Sequence, residues 1–133
     1  MKIQLAYKFS GEDEEKLVRT LTRIAEVLEN SGHEVYFACK DEDLFRKNNF
    51  TPKQILVHAL KKLDDADCLL VFVRSKEKAE GILIETGYAI AMNKKIILAI
   101  KKGIMRYFTG SIANQIIEFE DIDDLIKKLE QVK

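Results

Sequence analysis

The stretch "DCLLVFV" at residues 67–73, together with "KIILAI" at residues 95–100, decides the fold class of this chain. Both runs are apolar almost throughout, as strands are when helices cover both faces of a parallel sheet. Between them, apolar side chains recur at helical spacing, which predicts a helix that begins near Gly81. A strand, a helix and a second strand in this order predict one right-handed β-α-β unit.

The same alternation of strands and helices continues outward from this unit. Three further apolar runs predict strands at residues 2–7, 33–38 and 116–120. Helical patterns cover about residues 12–30 and the segments that follow Thr51 and Asp121. Residues 39–50 are mostly polar and predict a loop.

Sequence signals mark where two of these helices begin. "SGED" has the form of a capping box, with Ser10 as the cap and Asp13 three residues later. "TPKQ" places Thr51 as a cap and Pro52 in the first turn, and Gln54 completes the box. Both helices should therefore have well-defined N-termini.

Five alternations of strand and helix predict an α/β protein. We expect a flavodoxin-like three-layer sandwich with a five-stranded parallel sheet of order 2-1-3-4-5, formed by a single domain over residues 1–133. Ligands bind to such sheets outside the carboxyl ends of the strands. Four predicted loops lie there: 7–11, 38–51, 74–81 and 101–115.

Charge and composition argue against several classes of partner. Of the residues, 33% are charged and the net charge is zero, which argues against a nucleic-acid binder and against a disordered chain. No apolar run is long enough to span a bilayer, so we expect no membrane partner. Cys39 and Cys68 do not have metal-site spacing, and as reduced thiols they favour a cytoplasmic protein.

The predicted loops lack the motifs of several common classes of protein. The first loop, "YKFSGE", has a single glycine, so it is neither a dinucleotide-binding fingerprint nor a P-loop. A response-regulator receiver needs acids near the ends of strands one and three, where this chain has Tyr7 and Arg74. His33 lies at the start of a predicted strand, whereas ligands bind at the carboxyl ends of the strands, so a catalytic role is not expected. His58 is best interpreted as a residue on a helix face.

Lysine and arginine residues are frequent in these loops. They indicate either a site that binds an anion or a solvated surface with balanced charges. Acidic residues are mixed among them, which favours the solvated surface. The positions best placed to bind a phosphate are Arg74 and Lys76, beside the end of strand three. Arg106, followed by Tyr107 and Phe108, is the next candidate.

Glu85 is the one acid inside the otherwise apolar helix "ILIETGYAIAM" (82–92). The helix is apolar nearly all round, which predicts burial, and burying an unpaired carboxylate is expensive. Three interpretations stay open: an acid favoured by the helix dipole, an ion pair with a loop cation, and a functional carboxylate. A functional Glu85 should face an open pocket without a cation, whereas a structural one should be held by a cation or a backbone donor.

The segment "GILIETGYAIAMNKK" (81–95) resembles the nucleoside 2-deoxyribosyltransferase family. That family has a Gly-x-x-x-Glu-x-Gly-Tyr-Ala-x-Ala helix after its third strand, and the matching residues are Gly81, Glu85, Gly87, Tyr88, Ala89 and Ala91. The resemblance implies cleavage or transfer at the N-glycosidic bond of a nucleoside or nucleoside 5′-phosphate, without metal or cofactor, by a homodimer or larger homo-oligomer. It implies that Glu85 attacks the anomeric carbon. The implied substrate-binding residues are Tyr7, Lys8, Arg74, Ser75, Glu80, Gly81 and Tyr88.

The chain departs from the pattern of that family at its helper residues. A second acid or a serine usually stands six residues before the glutamate, where this chain has Ala79. An aspartate of the preceding helix is replaced by Ala59, and the first strand ends in Tyr7-Lys8 instead of a small Gly-Pro or Gly-Ser turn. These changes leave open a helper acid from a neighbouring position, a different substrate or a loss of activity.

A second resemblance is to Toll/interleukin-receptor domains. Its counterparts in this chain are Ala6-Tyr7, Asp13 and Lys40-Asp41. Enzymatic members use a glutamate after the third strand to cleave the nicotinamide bond of NAD, so both resemblances implicate Glu85. The stretch "ETGYAIAMNKK" (85–95) favours the deoxyribosyltransferase-like interpretation. A non-catalytic nucleotide-binding or interaction module on the same fold is a third interpretation.

Overall fold

Five parallel strands form one sheet in a computed structural model that describes residues 1–133. The strands are β1 (Lys2–Tyr7), β2 (Glu34–Tyr36), β3 (Cys68–Val73), β4 (Lys95–Lys101) and β5 (Gln115–Phe119). Their order across the sheet is β2-β1-β3-β4-β5, and every pairing is parallel. The predicted flavodoxin-like sheet of order 2-1-3-4-5 is therefore confirmed.

Six α-helices cover the two faces of this sheet. They are α1 (Glu14–Asn30), α2 (Glu42–Lys47), α3 (Pro52–Asp64), α4 (Glu80–Ala91), α5 (Tyr107–Ile112) and α6 (Ile122–Leu129). Helices α1 and α6 pack on one face, and α3 and α4 pack on the other, which gives the predicted three-layer sandwich. The central strands are consequently buried on both faces, as Leu69, Leu70 and Ile97 illustrate with no exposed surface.

Helix α1 begins later than its sequence signal predicts. Asp13, and not Ser10, is the N-cap, because its Oδ1 accepts the backbone N–H of Lys16 at 3.0 Å. Gly11 adopts a positive φ of 76°, so the chain is still turning there and cannot begin a helix from Ser10. The signal of α3 is confirmed, since Thr51 and Gln54 form a reciprocal capping box.

The predicted loop at 39–50 is wrong over much of its length. A 3₁₀ helix occupies Ala38–Asp41, and α2 follows it directly. The one buried side chain of α2, Phe45, packs against Phe50 and His58 with ring centroids 5.2 and 5.3 Å away. These aromatic contacts stabilise α2. The helix itself is too short to show a hydrophobic period in the sequence.

The expected burial of α4 on all sides is also wrong. Ile82, Thr86 and Ala89 are its buried residues, because a helix on one face of a sheet buries only the side that meets the strands. Four large apolar side chains of α4 point outward and are 44% to 54% exposed: Leu83, Ile84, Ile90 and Met92. We call these four residues the outer face of α4.

The segment between β4 and β5 is the second place where a predicted loop contains a helix. Residues 101–115 include α5, whose Phe108 is 87% exposed, and Met105 just before it is 67% exposed. The helix is only 6 residues long and has no buried side chain, so its sequence carries no amphipathic period. Among all six helices, none is long and apolar enough to cross a membrane.

Candidate active site

Glu85 lies in the second turn of α4 and faces α3. Tyr88, which is three residues further along the same side of α4, donates a hydrogen bond from its hydroxyl to Asp64 of α3. On the sheet below, Gln4 of β1 lies beside Glu85 and donates from its amide nitrogen to the backbone carbonyl of Ala59 in α3 at 3.0 Å. The side chain of Glu85 is thus half-buried beside β1, and its Oε2 is fully buried.

No cation pairs with Glu85, although the predicted loop cations are near the same end of the sheet. Lys8 pairs with Glu77 at 3.0 Å, and Arg74 pairs with Glu12 at 3.2 Å. Glu85 Oε2 is buried and has no hydrogen-bond partner. Neither a salt bridge nor a backbone donor therefore accounts for this carboxylate.

Burial raises the pKa of Glu85 to about 7, because its ionised form loses hydration that no neighbouring charge replaces. Hydrogen bonding by the Gln4 amide acts in the opposite direction and is the smaller effect. Gln4 is itself buried, and its Oε1 has no donor. Two buried acceptor oxygens on neighbouring side chains are therefore without hydrogen bonds, which is uncommon in a folded protein.

Two phenols lie at the carboxyl ends of β1 and β2, close enough to Glu85 for its charge to affect them. Tyr7 accepts the backbone N–H of Cys39 at 3.1 Å, and the hydroxyl of Tyr36 donates to Asp41 at 2.7 Å. Burial is the main cause that raises the pKa of both phenols, and the negative charge of Glu85 adds to it. Both tyrosines are therefore neutral near pH 7 and can donate hydrogen bonds.

His58 and Asp41 form a pair beside these phenols. His58 Nε2 lies 2.8 Å from Asp41 Oδ2, and the two side chains are only 22% and 27% exposed. Partial burial acts to raise the pKa of Asp41, but hydrogen bonds from His58 and Tyr36 outweigh it and bring that pKa below its ordinary value. Sequence reasoning places His58 on a helix face and Asp41 in a polar loop, and it does not bring them together.

A cavity of about 310 Å³ opens at the carboxyl ends of β3 and β4. Its walls include Phe72, Ile82 and Ile100, and its rim carries cations of several loops: Lys8, Arg74, Lys76, Lys78 and Arg106. Glu85 does not line this cavity, because Glu85 faces α3 while the cavity lies on the side of α4 that meets β4. The pocket nearest to the predicted anion-binding residues is thus distinct from the recess around Glu85.

The predicted substrate-binding residues divide between these two places. Tyr7 lies on the side of the recess, whereas the cavity is lined by three of the others: Lys8, Arg74 and Ser75. Glu80 and Gly81 are exposed in the first turn of α4. Tyr88 donates a hydrogen bond from its hydroxyl to Asp64 of α3.

Most cations of the cavity rim are already neutralised by acids. Beyond the pairs of Lys8 and Arg74, Arg106 pairs with Glu118 at 3.0 Å. Lys76 forms no salt bridge, and Lys78 lies 5.0 Å from the ring centroid of Tyr107 in a cation–π contact. The N-terminus of α4 has no side-chain cap, because Ala79 occupies the N-cap position.

Solved structures of low sequence identity share this fold along nearly the whole chain. A CMP N-glycosidase of Clostridium botulinum has a TM-score of 0.73 at 21% identity, and the match covers 99% of this chain and 100% of that one. A 2-deoxyribosyltransferase of Bacillus psychrosaccharolyticus has a TM-score of 0.69 at 20% identity, covering 100% and 93%. A putative quinone reductase of Klebsiella pneumoniae has a TM-score of 0.58 at 10% identity, covering 98% and 83%, so the fold alone does not define the chemistry.

The sequence itself identifies the family. No curated protein sequence matches the chain significantly. The family profile described as "Nucleoside 2-deoxyribosyltransferase" matches residues 6–116, which is most of the chain and includes the helix of Glu85. This is the first of the two resemblances found in the sequence, and it supports an enzyme of the glycosyltransferase or N-glycosidase type. The chain therefore belongs to the nucleoside 2-deoxyribosyltransferase family.

Proposed function

We propose that this protein cleaves or transfers the N-glycosidic bond of a nucleoside or nucleoside 5′-phosphate, with Glu85 as the nucleophile. The observation that carries the proposal is the state of the half-buried Glu85 side chain, whose Oε2 is buried and has neither a cation nor a hydrogen-bond donor. A structural acid at this position would have a partner, because an unpaired buried carboxylate lowers stability.

The chemistry follows from the charge that develops on the sugar. As the C1′–N bond breaks, its electron pair moves to the base and C1′ becomes cationic. An oxygen of Glu85 then bonds to C1′ to form a glycosyl ester, and water or a second base attacks that ester. Because the pKa of Glu85 is about 7, a substantial fraction of the carboxyl group is ionised at neutral pH. Low hydration makes the ionised form a better nucleophile than an exposed carboxylate.

A 5′-phosphate is the substrate feature that the loop cations favour. The first turn of α4 presents backbone N–H groups that no side chain caps, and Ser75 and Lys76, which forms no salt bridge, lie on the adjacent loop. The similarity in fold to an enzyme named for CMP agrees with a nucleotide substrate. Glu80 and Gly81 would then border the phosphate, while Tyr7 and Tyr88 would border the sugar.

A homodimer or larger homo-oligomer is part of the proposal. Leu83, at one end of the outer face of α4, lines the cavity. The same cavity is lined by three exposed residues that follow β4: Met105, Tyr107 and Phe108. Contiguous apolar surface of this kind usually marks an interface. A second copy of the chain, placed on α4, would cover it.

The direct test is release of free base, measured by chromatography. The substrates are nucleosides, their 5′-monophosphates and NAD, and the variants are Glu85→Gln and the control Glu26→Gln, which alters an exposed acid on α1. We expect the wild type and Glu26→Gln to release base and Glu85→Gln to lose at least about 100-fold in rate. Equal release by Glu85→Gln and the wild type would contradict the role of Glu85, and release from NAD alone would favour the second resemblance.

A non-catalytic nucleotide-binding module is the second candidate function. Ala59 and Ala79 favour it, because neither position can supply a carboxylate to assist the reaction. In that case nucleotides would bind, as seen by calorimetry, and none would be cleaved by the wild type.

A further inference from the structure

Three side chains from three separate elements form a hydrogen-bonded unit near Glu85. Tyr36 of β2 donates to Asp41 Oδ2 at 2.7 Å, and His58 Nε2 of α3 lies 2.8 Å from the same oxygen. With Asp41 accepting from Nε2–H, the other ring nitrogen of His58, Nδ1, makes no protein hydrogen bond. The rings of Phe45 and Phe50 pack edge-on against the imidazole at 5.3 and 6.2 Å and fix its orientation.

This unit borders the recess of Glu85. Tyr36 is the register partner of Gln4 on the neighbouring strand, and Gln4 contacts Glu85. The carbonyl that receives the Gln4 amide belongs to Ala59, the residue that follows His58. Tyr36 is also near enough to respond to the charges of both Asp41 and Glu85. Gln4 therefore links the surroundings of His58 to those of Glu85.

A nucleobase leaves poorly as an anion, so cleavage needs a proton at the base. The phenols of Tyr7 and Tyr36 hold their protons tightly because burial raises the pKa of each. Burial also raises the pKa of the Cys39 thiol. Imidazole is the side chain that exchanges a proton most readily near neutral pH.

We propose that His58, oriented by Asp41, is the general acid that protonates the leaving base. This inference rests on the proposed function. In the step, the C1′–N bond breaks and its electron pair goes to the base, while the His58 Nδ1 proton moves to a nitrogen of the base. An oxygen of Glu85 forms the new bond to C1′. Neutral His58 then removes a proton from the water or from the acceptor base that attacks the glycosyl ester, which restores the imidazolium.

Several charged and titratable groups from the surrounding elements lie around the His58–Asp41 pair. They are Tyr36 of β2, Cys39 and Asp41 of the 3₁₀ helix, Glu42 of α2, Lys62 of α3 and Glu85 of α4. Lys62 is 5.1 Å from the ring centroid of Tyr36 and opposes the negative charge of Asp41. Asp41 accepts the Nε2 proton of His58, which leaves Nδ1 to exchange a proton with the base.

The test uses substrates whose bases differ in their need for a proton. GMP and CMP are compared with N7-methylguanosine 5′-monophosphate and N3-methylcytidine 5′-monophosphate, whose cationic bases leave as neutral molecules without protonation. For His58→Gln we expect a loss of about 100-fold or more on the parent nucleotide and less than about 5-fold on its methylated form. Asp41→Asn should show the same selectivity with a smaller loss.

Each outcome has a distinct meaning. Equal losses on parent and methylated substrates, with an unchanged circular dichroism spectrum, would overturn the role of His58 and leave the proposed function intact. No cleavage of any nucleotide by the wild type would instead remove the proposed function. If the wild type rejects the methylated nucleotides, the pH profile on the parent decides, because His58→Gln must abolish the alkaline fall in rate. If His58→Gln does not fold, Asp41→Asn gives the same two readouts.

Discussion

Gln4 and Glu85 face a common recess with two buried oxygens, Gln4 Oε1 and Glu85 Oε2, that have no hydrogen-bond donor. Gln4 is held in this state because its amide nitrogen is bound to the carbonyl of Ala59. Two substrate hydroxyls would satisfy the two acceptors, one each, and without them the site is maintained at a cost in stability. The stability of the rest of the fold, with its fully buried β3 and β4, tolerates that cost.

Replacing Glu85 by glutamine should stabilise the protein at alkaline pH and leave it nearly unchanged at acid pH. The folded pKa of about 7 lies above the ordinary value of 4.5, so ionisation destabilises the native state as the pH rises from about 4.5 to 7. The full penalty is on the order of 3 kcal/mol and applies above pH 7. We expect Tm of Glu85→Gln to exceed that of the wild type by roughly 5–10 °C at pH 8 and by about 0–2 °C at pH 4.5.

Differential scanning calorimetry at both pH values measures this effect. Glu26→Gln, which changes an exposed acid, is the control, and its difference from the wild type should not vary with pH. A constant offset for Glu85→Gln at both pH values would show that the carboxyl group ionises normally in the folded protein.

Replacing Gln4 by methionine should shift the acid limb of the activity profile toward higher pH. The hydrogen bonding of Gln4 lowers the pKa of Glu85, so its loss leaves burial unopposed and requires a higher pH for ionisation. The midpoint of the rise of kcat/KM with pH, measured on the best nucleotide, should therefore move to a higher pH.

The matched control for this profile is Thr86→Val. Thr86 Oγ1 is also buried without a hydrogen-bond partner, and it lies on the same helix as Glu85. Its replacement should leave the acid limb in place. An identical shift in both variants would mean that general loosening of the site, and not the Gln4 amide, controls the ionisation of Glu85.

The sequence was sufficient to predict the sheet, because its central strands are covered on both faces and so appear as unbroken apolar runs at 67–73 and 95–100. Glu85 stood out for the complementary reason that it is a lone acid in an apolar helix, and its role in catalysis stays a prediction. Short segments were not predictable. Helices α2 and α5 have 6 residues each, too few for a hydrophobic period, and α2 depends on aromatic contacts with residues distant in sequence.

The residues around Glu85 could not be predicted as a group from the sequence, because only the folded chain brings them together. Gln4 approaches Tyr36 through the β1–β2 register, and Asp41 approaches His58 across 17 positions of sequence. Ion pairing of the loop cations is equally long-range, since Arg74 meets Glu12 from 62 positions away. Neither kind of contact leaves a local pattern. The sequence therefore does not show which residues surround Glu85 or which loop cations are paired with acids.

Substitutions at the start of α1 can test whether Asp13 or Ser10 caps the helix. Asp13→Ala should lower the free energy of unfolding by about 1 kcal/mol, because it removes the acceptor for the Lys16 N–H. Ser10→Ala should change it by less than about 0.3 kcal/mol, since Ser10 does not cap the helix. Urea denaturation of both variants measures the two values, and a larger loss for Ser10→Ala would restore Ser10 as the cap.

The outer face of α4 should hold two copies of the chain together. Ile84 is 44% exposed and lies within this face, so Ile84→Glu would place an unpaired carboxylate inside the proposed interface. We expect light scattering at micromolar concentration to give twice the chain mass for the wild type and the mass of one chain for Ile84→Glu. The physical reason is a cost of at least about 2 kcal/mol per introduced charge, which weakens association by roughly 30-fold for one charge and more for two.

Val57→Glu is the control for this measurement, because Val57 is 39% exposed on α3 and lies outside the outer face of α4. It introduces the same charge on a similar apolar background and should leave the mass unchanged. A monomeric wild type would contradict the proposed dimer directly. Dissociation by Val57→Glu together with a dimeric Ile84→Glu would instead place the interface on α3.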